Sequence, residues 1–296
     1  MNIVITGANS SVGINLLSHI SEHEDINVTA GVRSERASSS LPSLPRVKPR
    51  IISYEDVDDL ALEMKDVDCV VHLAGILIET KGTNYNTANV EATAAVVNAA
   101  KQAGAKHVIF VSVVGASESS PNSYFRSKGD AEKLVSESGL AATVIRTPIL
   151  IGPGTAGASS IVWAASQSKA KLLGGGNYSM RPLDVDDLSK AILNSCMAMR
   201  DDVCIYELVG PEPILYSELI KKVGILMNKE VTIGSIPIWT AKLGAAITSR
   251  LKGGMSPTVI DVITMDEVVQ KNADNELGVV LTPLSKTLEK ILTNTK

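Results

Sequence analysis

Cysteine is scarce in this chain: Cys69, Cys196 and Cys204 are the only three in 296 residues, with no C-x-x-C spacing. That excludes a disulfide framework and a thiolate zinc site, and Cys69, inside the apolar run DCVVHLAG, reads as a buried reduced thiol. Aromatic residues make up 3% of the chain, too few to build stacking platforms for single-stranded nucleic acid. Lys and Arg number 28 against 32 Asp and Glu, a net charge of −4, which excludes a nucleic-acid surface built on bulk positive charge. No apolar run is long enough to span a bilayer. The first residues, MNIVITGA, enter a strand at once and carry no charged leader, so the expected location is cytoplasmic. Metal ligands are also lacking: His19 and His23 lie four apart with no third ligand nearby, a surface pair.

What is present is alternation. Short β-rich runs at Asn2–Thr6, Asn27–Val32, Val47–Ser53, Asp68–Leu73, Lys106–Ser112, Ala142–Arg146 and Ile205–Leu208 are separated by helical patterns. Such βαβ units predict an α/β protein with a Rossmann-type doubly wound parallel sheet. VVH and VIFV are apolar on both faces, as strands covered on both sides are. An Ala-rich helix is predicted over Thr87–Ala103, a Ser/Pro-rich surface loop over Arg33–Pro49, and amphipathic helices over Tyr216–Met227 and Ser285–Leu292. Residues 1–148 form the expected dinucleotide-binding core. Residues 149–296 supply the remaining strands and a small substrate lobe, interleaved with the core in one compact unit.

The stretch TGANSSVG, Thr6–Gly13, leaves the first strand and opens a helix. Gly7 permits the tight turn and Gly13 lets the helix pack closely on the sheet. The helix start, with Asn9, Ser10, Ser11 and Val12, then offers N–H groups to a pyrophosphate. Dinucleotide folds often carry a glycine where this chain has Ser10, whose hydroxyl can donate a hydrogen bond instead. At the end of the second strand an acid would bind the ribose 2′-hydroxyl of NAD, and an Arg would accept the 2′-phosphate of NADP. The chain reads AGVRSER, with Arg33 there, so NADP(H) is favoured over NAD(H).

Tyr124 and Lys128 stand four apart in YFRSK and project from one face of a helix. A free tyrosine ionises near about pH 10 and is a poor acid or base at neutrality; a nearby ammonium favours the phenolate. His72, in a buried strand pattern, reads as a packed histidine rather than a base.

With TGANSSVG, VHLAG, Asn89, YFRSK and IRTPILIGPG, the chain resembles the short-chain dehydrogenase/reductase superfamily over nearly its whole length. It is similar to the extended or atypical branch of epimerases and dehydratases. SVVGA, YFRSKGDAEKLV, SGLAATVIRTPILIGPG, RPLDVDDLSKAI and YELVGPEPILYSELI are most similar to the group holding the NADPH-binding accessory subunit of respiratory complex I and its free-standing prokaryotic relatives. The resemblance implies that Gly7, Ser10 and Gly13 line the pyrophosphate, that Asp56 beside Val57 meets the adenine, and that Leu73, Ala74 and Gly75 border the nicotinamide ribose. Tyr124 would carry the proton and Lys128 would hold the ribose while lowering the tyrosine pKa. Asn89 would position Lys128 through a water, and Pro148 and Ile149 would touch the nicotinamide. Ser112 would steady the reacting oxygen; a one-residue shift would put Val113 there and remove that donor. Asp184, Asp186 and Asp187 match a segment read as structural.

The expected function is an NADP(H)-dependent oxidoreductase or epimerase/dehydratase acting on a small molecule that the sequence does not name, Arg181 being the one candidate anion contact in the lobe. The alternatives are a non-catalytic NADPH-binding subunit or assembly factor of a respiratory-type complex, and a dinucleotide-sensing regulator. The apolar segment Ile236–Leu251, flanked by Lys242, Arg250 and Lys252, is a candidate surface for docking on a membrane or a protein complex. A second copy of the chain is a further candidate partner.

Overall fold

The computed structural model describes residues 1–252 and 254–293. Its first half alternates β1 (Asn2–Thr6), α1 (Ser11–Ile20), β2 (Asn27–Val32), α2 (Glu35–Ser39), β3 (Val47–Ile51), α3 (Val57–Glu63), β4 (Cys69–His72), α4 (Ala92–Gln102), β5 (His107–Val113), α5 (Ser123–Ser136) and β6 (Ala142–Thr147). Then come β7 (Leu150–Ile151), α6 (Ala156–Ser166), β8 (Lys169–Leu173), β9 (Ser179–Met180), β10 (Leu183–Asp184), α7 (Val185–Ala198) and β11 (Val203–Glu207). The chain finishes with β12 (Ile214–Leu215), α8 (Tyr216–Leu226), β13 (Thr232–Ile236), α9 (Ile238–Lys252), α10 (Pro257–Ile263) and α11 (Leu284–Thr293).

The expected Rossmann-type sheet is there: seven strands in the order β11-β6-β5-β4-β1-β2-β3, each neighbouring pair parallel. Because side chains alternate along a strand, each central strand feeds two cores. Ile3, Ile5, Val71 and Ile109 face α1 and α7, while Val4, Val70, Val108 and Phe110 face the α3–α5 side. The three cysteines are free thiols, and Cys69 Sγ lies 3.6 Å from Cys196 Sγ within the first of these cores.

Two predicted elements differ. The Ser/Pro-rich stretch is not all loop: the Ser34 side chain accepts from Ala37 N–H and starts α2, and Pro49 sits within β3. A strand tolerates that proline because β3 is the sheet's outer edge. The Ala-rich helix is not uniform either. It begins as a π-helical turn over Asn86–Glu91 and becomes α-helical only at Ala92. The wide turn turns Asn89 inward, where Nδ2 donates to the Ile76 carbonyl at 3.2 Å and to Ser127 Oγ at 3.0 Å.

The small lobe has its own core of Ile151, Ile161, Leu219, Ile220, Leu284 and Leu288. The chain then returns to the sheet through α7, which packs against α1. Lys290 Nζ donates to Asp184 Oδ2 at 2.9 Å and to Asp186 Oδ2 at 2.7 Å, and Asp187 Oδ2 accepts from Thr282 N–H at 2.6 Å. Those three aspartates therefore fasten the C-terminal segment to the start of α7. His19 Nε2 lies 3.4 Å from Asp186 Oδ1. Among the described residues no helix is long and apolar enough to cross a membrane.

Candidate active site

A cavity of 740 Å³ opens at the C-terminal ends of β1, β2, β3 and β4, lined by Gly7, Asn9, Ser10, Arg33, Tyr54, Glu55, Asp59 and Leu73–Ile76, with Thr87, Ala88 and Glu91 opposite. Ligands of open parallel sheets bind at such strand ends. Gly7 holds φ +75°, and a Cβ there would sit 2.9 Å from Ala74 N; one on Gly13 would sit 2.4 Å from the Ala8 carbonyl oxygen. Both positions must be glycine for the turn to fold back on β4 and for α1 to start where it does.

Ser10 caps α1, its Oγ accepting from Gly13 N–H at 3.0 Å. The hydroxyl proton stays free to donate into the cavity that Ser10 lines, and Ser11 and Val12 present the helix's first N–H groups without intrahelical acceptors. Ser11, Val12 and Gly13 do not themselves line the cavity; their contribution is backbone donors and close packing. This cradle fits a dinucleotide pyrophosphate.

At the β2–β3 end Arg33 lines the wall beside Tyr54, and its charge works against burial in setting the tyrosine pKa. Tyr54 is the residue that sequence reading missed: it lies just past the end of β3 and lines the cavity. Asp56, expected at the adenine, instead caps α3 by accepting from Asp59 N–H at 3.0 Å. Neither Asp56 nor Val57 lines the cavity; Glu55 and Asp59 do. The start of a helix consumed the carboxylate assigned to the base.

At the other end Gly75 lines the cavity, and a Cβ on it would lie 3.1 Å from Asn89 Oδ1 and 3.9 Å from Lys128 Nζ. Asn89 Oδ1 accepts from Ile76 N–H at 2.8 Å. Asn89 therefore fixes the strand-end loop and α5 directly. Behind them His72 is locked: Thr93 Oγ1 donates to the Asn89 carbonyl at 2.6 Å, so His72 Nε2–H donates to Thr93 and Nδ1 accepts from Thr6. Burial first and the Lys128 charge second push the His72 pKa down to about 3, so it is a packed neutral histidine.

Helix α5 starts at Asn122, whose side chain accepts from Tyr124 and Phe125 N–H. It is tied to β6 by Glu132, which takes Arg146 Nε at 3.0 Å and Nη2 at 2.6 Å. Tyr124 and Lys128 are both buried on that helix. Lys128 Nζ donates to the Val111 carbonyl at 3.0 Å and rests 4.2 Å from the Phe110 ring centroid. Burial lowers its pKa to about 8, against the Glu132 charge. Burial also pushes the Tyr124 phenol well above its ordinary value, with Tyr85 adding to the rise. The expected lowering by Lys128 is not expressed here, because desolvation is the larger effect and the ammonium is turned to Val111.

Ser112, expected beside the reacting oxygen, is buried. Its Oγ is closed off from solvent and has no hydrogen-bond partner among the described residues. The next residue along β5, Val113, is the one that packs in the Tyr124 cluster with Tyr85 and Phe125. By strand alternation Ser112 shares the face of Phe110, two residues earlier, where it is fully buried. That cluster is otherwise Ile76, Leu77, Val262 and Met265, the last two from a segment far along the chain. Pro148 and Ile149 stand at the lobe side, where Ile149 N–H donates to Glu267 Oε1 at 3.3 Å; neither lines the cavity. Arg181 is not a free anion contact: its guanidinium donates to the Gly210 carbonyl at 3.1 Å and the Pro211 carbonyl at 2.9 Å.

The fold and cavity define a dinucleotide-binding α/β protein. Residues 7–174 match the NAD(P)H-binding family, and the chain belongs to it. It is 28% identical over 258 residues to the mitochondrial NADH dehydrogenase (ubiquinone) 1 alpha subcomplex subunit 9 of Arabidopsis thaliana, covering 81% of this chain and 63% of that protein. The match thus spans less than two thirds of that relative's length. An uncharacterized sugar epimerase of Bacillus subtilis is 27% identical over 229 residues, covering 75% of this chain and all of that one (100%). Among solved structures, UDP-glucuronic acid 4-epimerase from Bacillus cereus, in complex with UDP-glucuronic acid and NAD, superposes with a TM-score of 0.75 at 17% identity over 99% of this chain and 98% of that one. That likeness is one of fold.

Proposed function

We propose that the protein is an NADP(H)-dependent oxidoreductase of the epimerase/dehydratase type in which Tyr124 carries the proton. The observation that carries this reading is the position of Lys128 Nζ just behind Gly75, at one end of the dinucleotide cavity, with Tyr124 one helical turn away. A bound NADP(H) would supply or accept the hydride. Gly7, Ser10 and the first N–H groups of α1 would hold its pyrophosphate, and Arg33, the cation lining the far end, would take the 2′-phosphate. Tyr124, kept neutral by burial, is suited to donating its proton to a carbonyl oxygen. Lys128 reaches toward Gly75, where a ribose would compete with Val111 for its N–H groups. Replacing Tyr124 with Phe removes the proton carrier and leaves the cradle intact. Turnover of a carbonyl panel should fall at least about 100-fold with NADPH affinity nearly unchanged. Wild-type rates in that variant would refute the assignment.

The buried Ser112 hydroxyl favours a second reading, a non-catalytic NADPH-binding subunit of a larger assembly. Helix α9 offers a face for it: Trp239, Leu243 and Ile247, four apart, are 70%, 61% and 59% exposed and form one stripe. Lys242 is paired with Asp261, and the side chains of Arg250 and Lys252 lie outside the described residues. Co-purification with a membrane complex that a Trp239→Asp, Leu243→Asp double variant abolishes, together with no turnover, would select this reading.

A further inference from the structure

We infer that the substrate is an uncharged carbonyl or carbinol compound on a long hydrocarbon chain, not a nucleoside-diphosphate sugar. This rests on the oxidoreductase reading above. The proton carrier sits in hydrocarbon: Tyr124 is 8% exposed and packs with Phe125, Val113, Leu77, Val262 and Met265. Tyr85 adds its ring, 5.6 Å from that of Tyr124, with its own hydroxyl spent on the Leu77 carbonyl at 2.8 Å. Of the five aliphatic and thioether side chains against these rings, all keep part of their surface open, so a ligand reaching Tyr124 meets apolar walls. The partner from the lobe is built in: Asn122 Nδ2 donates to the Thr258 carbonyl at 3.0 Å, holding α10, and with it Val262 and Met265, against α5.

Charge around the cluster is of the wrong sign for a diphosphate. Glu79 faces Tyr85, accepting its N–H at 2.8 Å and adding to the rise in the phenol's pKa that burial causes first. Asp266 and Glu267 follow Met265 and accept from Ser179 and Arg181 N–H. Three of the nearby cations are engaged: Arg181 by the Gly210 and Pro211 carbonyls, Lys242 by Asp261, and Arg126 by the Ser120 carbonyl at 2.9 Å, while Lys81, beyond Glu79 in the same loop, is exposed to solvent. A diphosphate placed here would lose its hydration and meet carboxylates, whereas an alkyl chain would gain at each methylene buried. In the reductive direction a bound NADPH would supply the hydride to the carbonyl carbon and be left as NADP⁺. The oxygen would take the Tyr124 proton, and the tyrosinate would be reprotonated from solvent.

The test is calorimetric titration of the NADP⁺-loaded protein with methyl ketones from octan-2-one to dodecan-2-one, and separately with UDP-glucose. Affinity should rise about fourfold per added methylene, and UDP-glucose should give no saturable heat. Val262→Asp and, independently, Met265→Asp should weaken the longest ketone at least about tenfold without moving NADPH affinity. Saturable UDP-glucose binding, a ketone series flat in chain length, or no ketone binding at all overturns the inference. UDP-glucose turnover that depends on Tyr124 would overturn it and leave the oxidoreductase reading standing. Chain-length-dependent binding with no turnover would do the reverse.

Discussion

Lys128 Nζ donates to the carbonyl oxygen of Val111 at 3.0 Å, a bond that joins the middle of α5 to the end of β5 and spends the ammonium on backbone. Its neighbour on the helix face, Tyr124, is left to desolvation. In the proposed function, a ribose at Gly75 would compete for the ammonium and draw it forward.

Burial of that ammonium has a signature in pH. The Lys128 pKa is lowered from 10.5 to about 8 in the folded chain, so from pH 8 upward the unfolded chain holds more protons than the folded one. Stability from this group therefore rises with pH through that window, the cost being full below pH 8. Tyr124, raised from 10.0, acts oppositely, but only above pH 10. The melting-temperature difference between wild type and Lys128→Met should shift in favour of wild type from pH 8 to 10. A difference that stays flat contradicts the buried ammonium.

The proposed preference for NADP(H) rests on one side chain. Arg33→Gln should weaken NADPH binding about tenfold, the scale of one charge-assisted contact, and leave NADH binding unaltered. Equal losses for both dinucleotides would mean that Arg33 acts on something other than the 2′-phosphate.

The position of α5 depends on the Glu132–Arg146 pair, with Arg146 Nη2 at 2.6 Å and Glu132 nearly buried. Glu132→Gln should cost about 2 kcal/mol in denaturant unfolding, the worth of hydrogen bonds to a charged group plus a guanidinium left half-paired. A cost under about 0.5 kcal/mol would reduce the pair to a surface contact.

The alternation of β-rich runs and the turn at Gly7–Gly13 were legible because they are local: period-two burial and a strand-to-helix turn leave their mark within ten residues. The face shared by Tyr124 and Lys128 was legible for the same reason. Ser112 was not, because one residue of register on β5 decides which face a side chain takes, and a run such as FVSVV carries no register mark. The π-turn at Asn89 escaped because the bonds that accompany it, to Ile76 and Ser127, are made outside its own helix. Val262 and Met265 reach Tyr124 only through tertiary folding, from a segment far along the chain.

The central claim is that one dinucleotide site runs from Arg33 to Lys128. Its most direct measurement is calorimetric titration of the purified chain with NADPH, beside Lys128→Met. One saturable site in the wild type, weakened about tenfold in the variant, is the predicted result. No saturable binding, or a variant that binds as the wild type does, would contradict it.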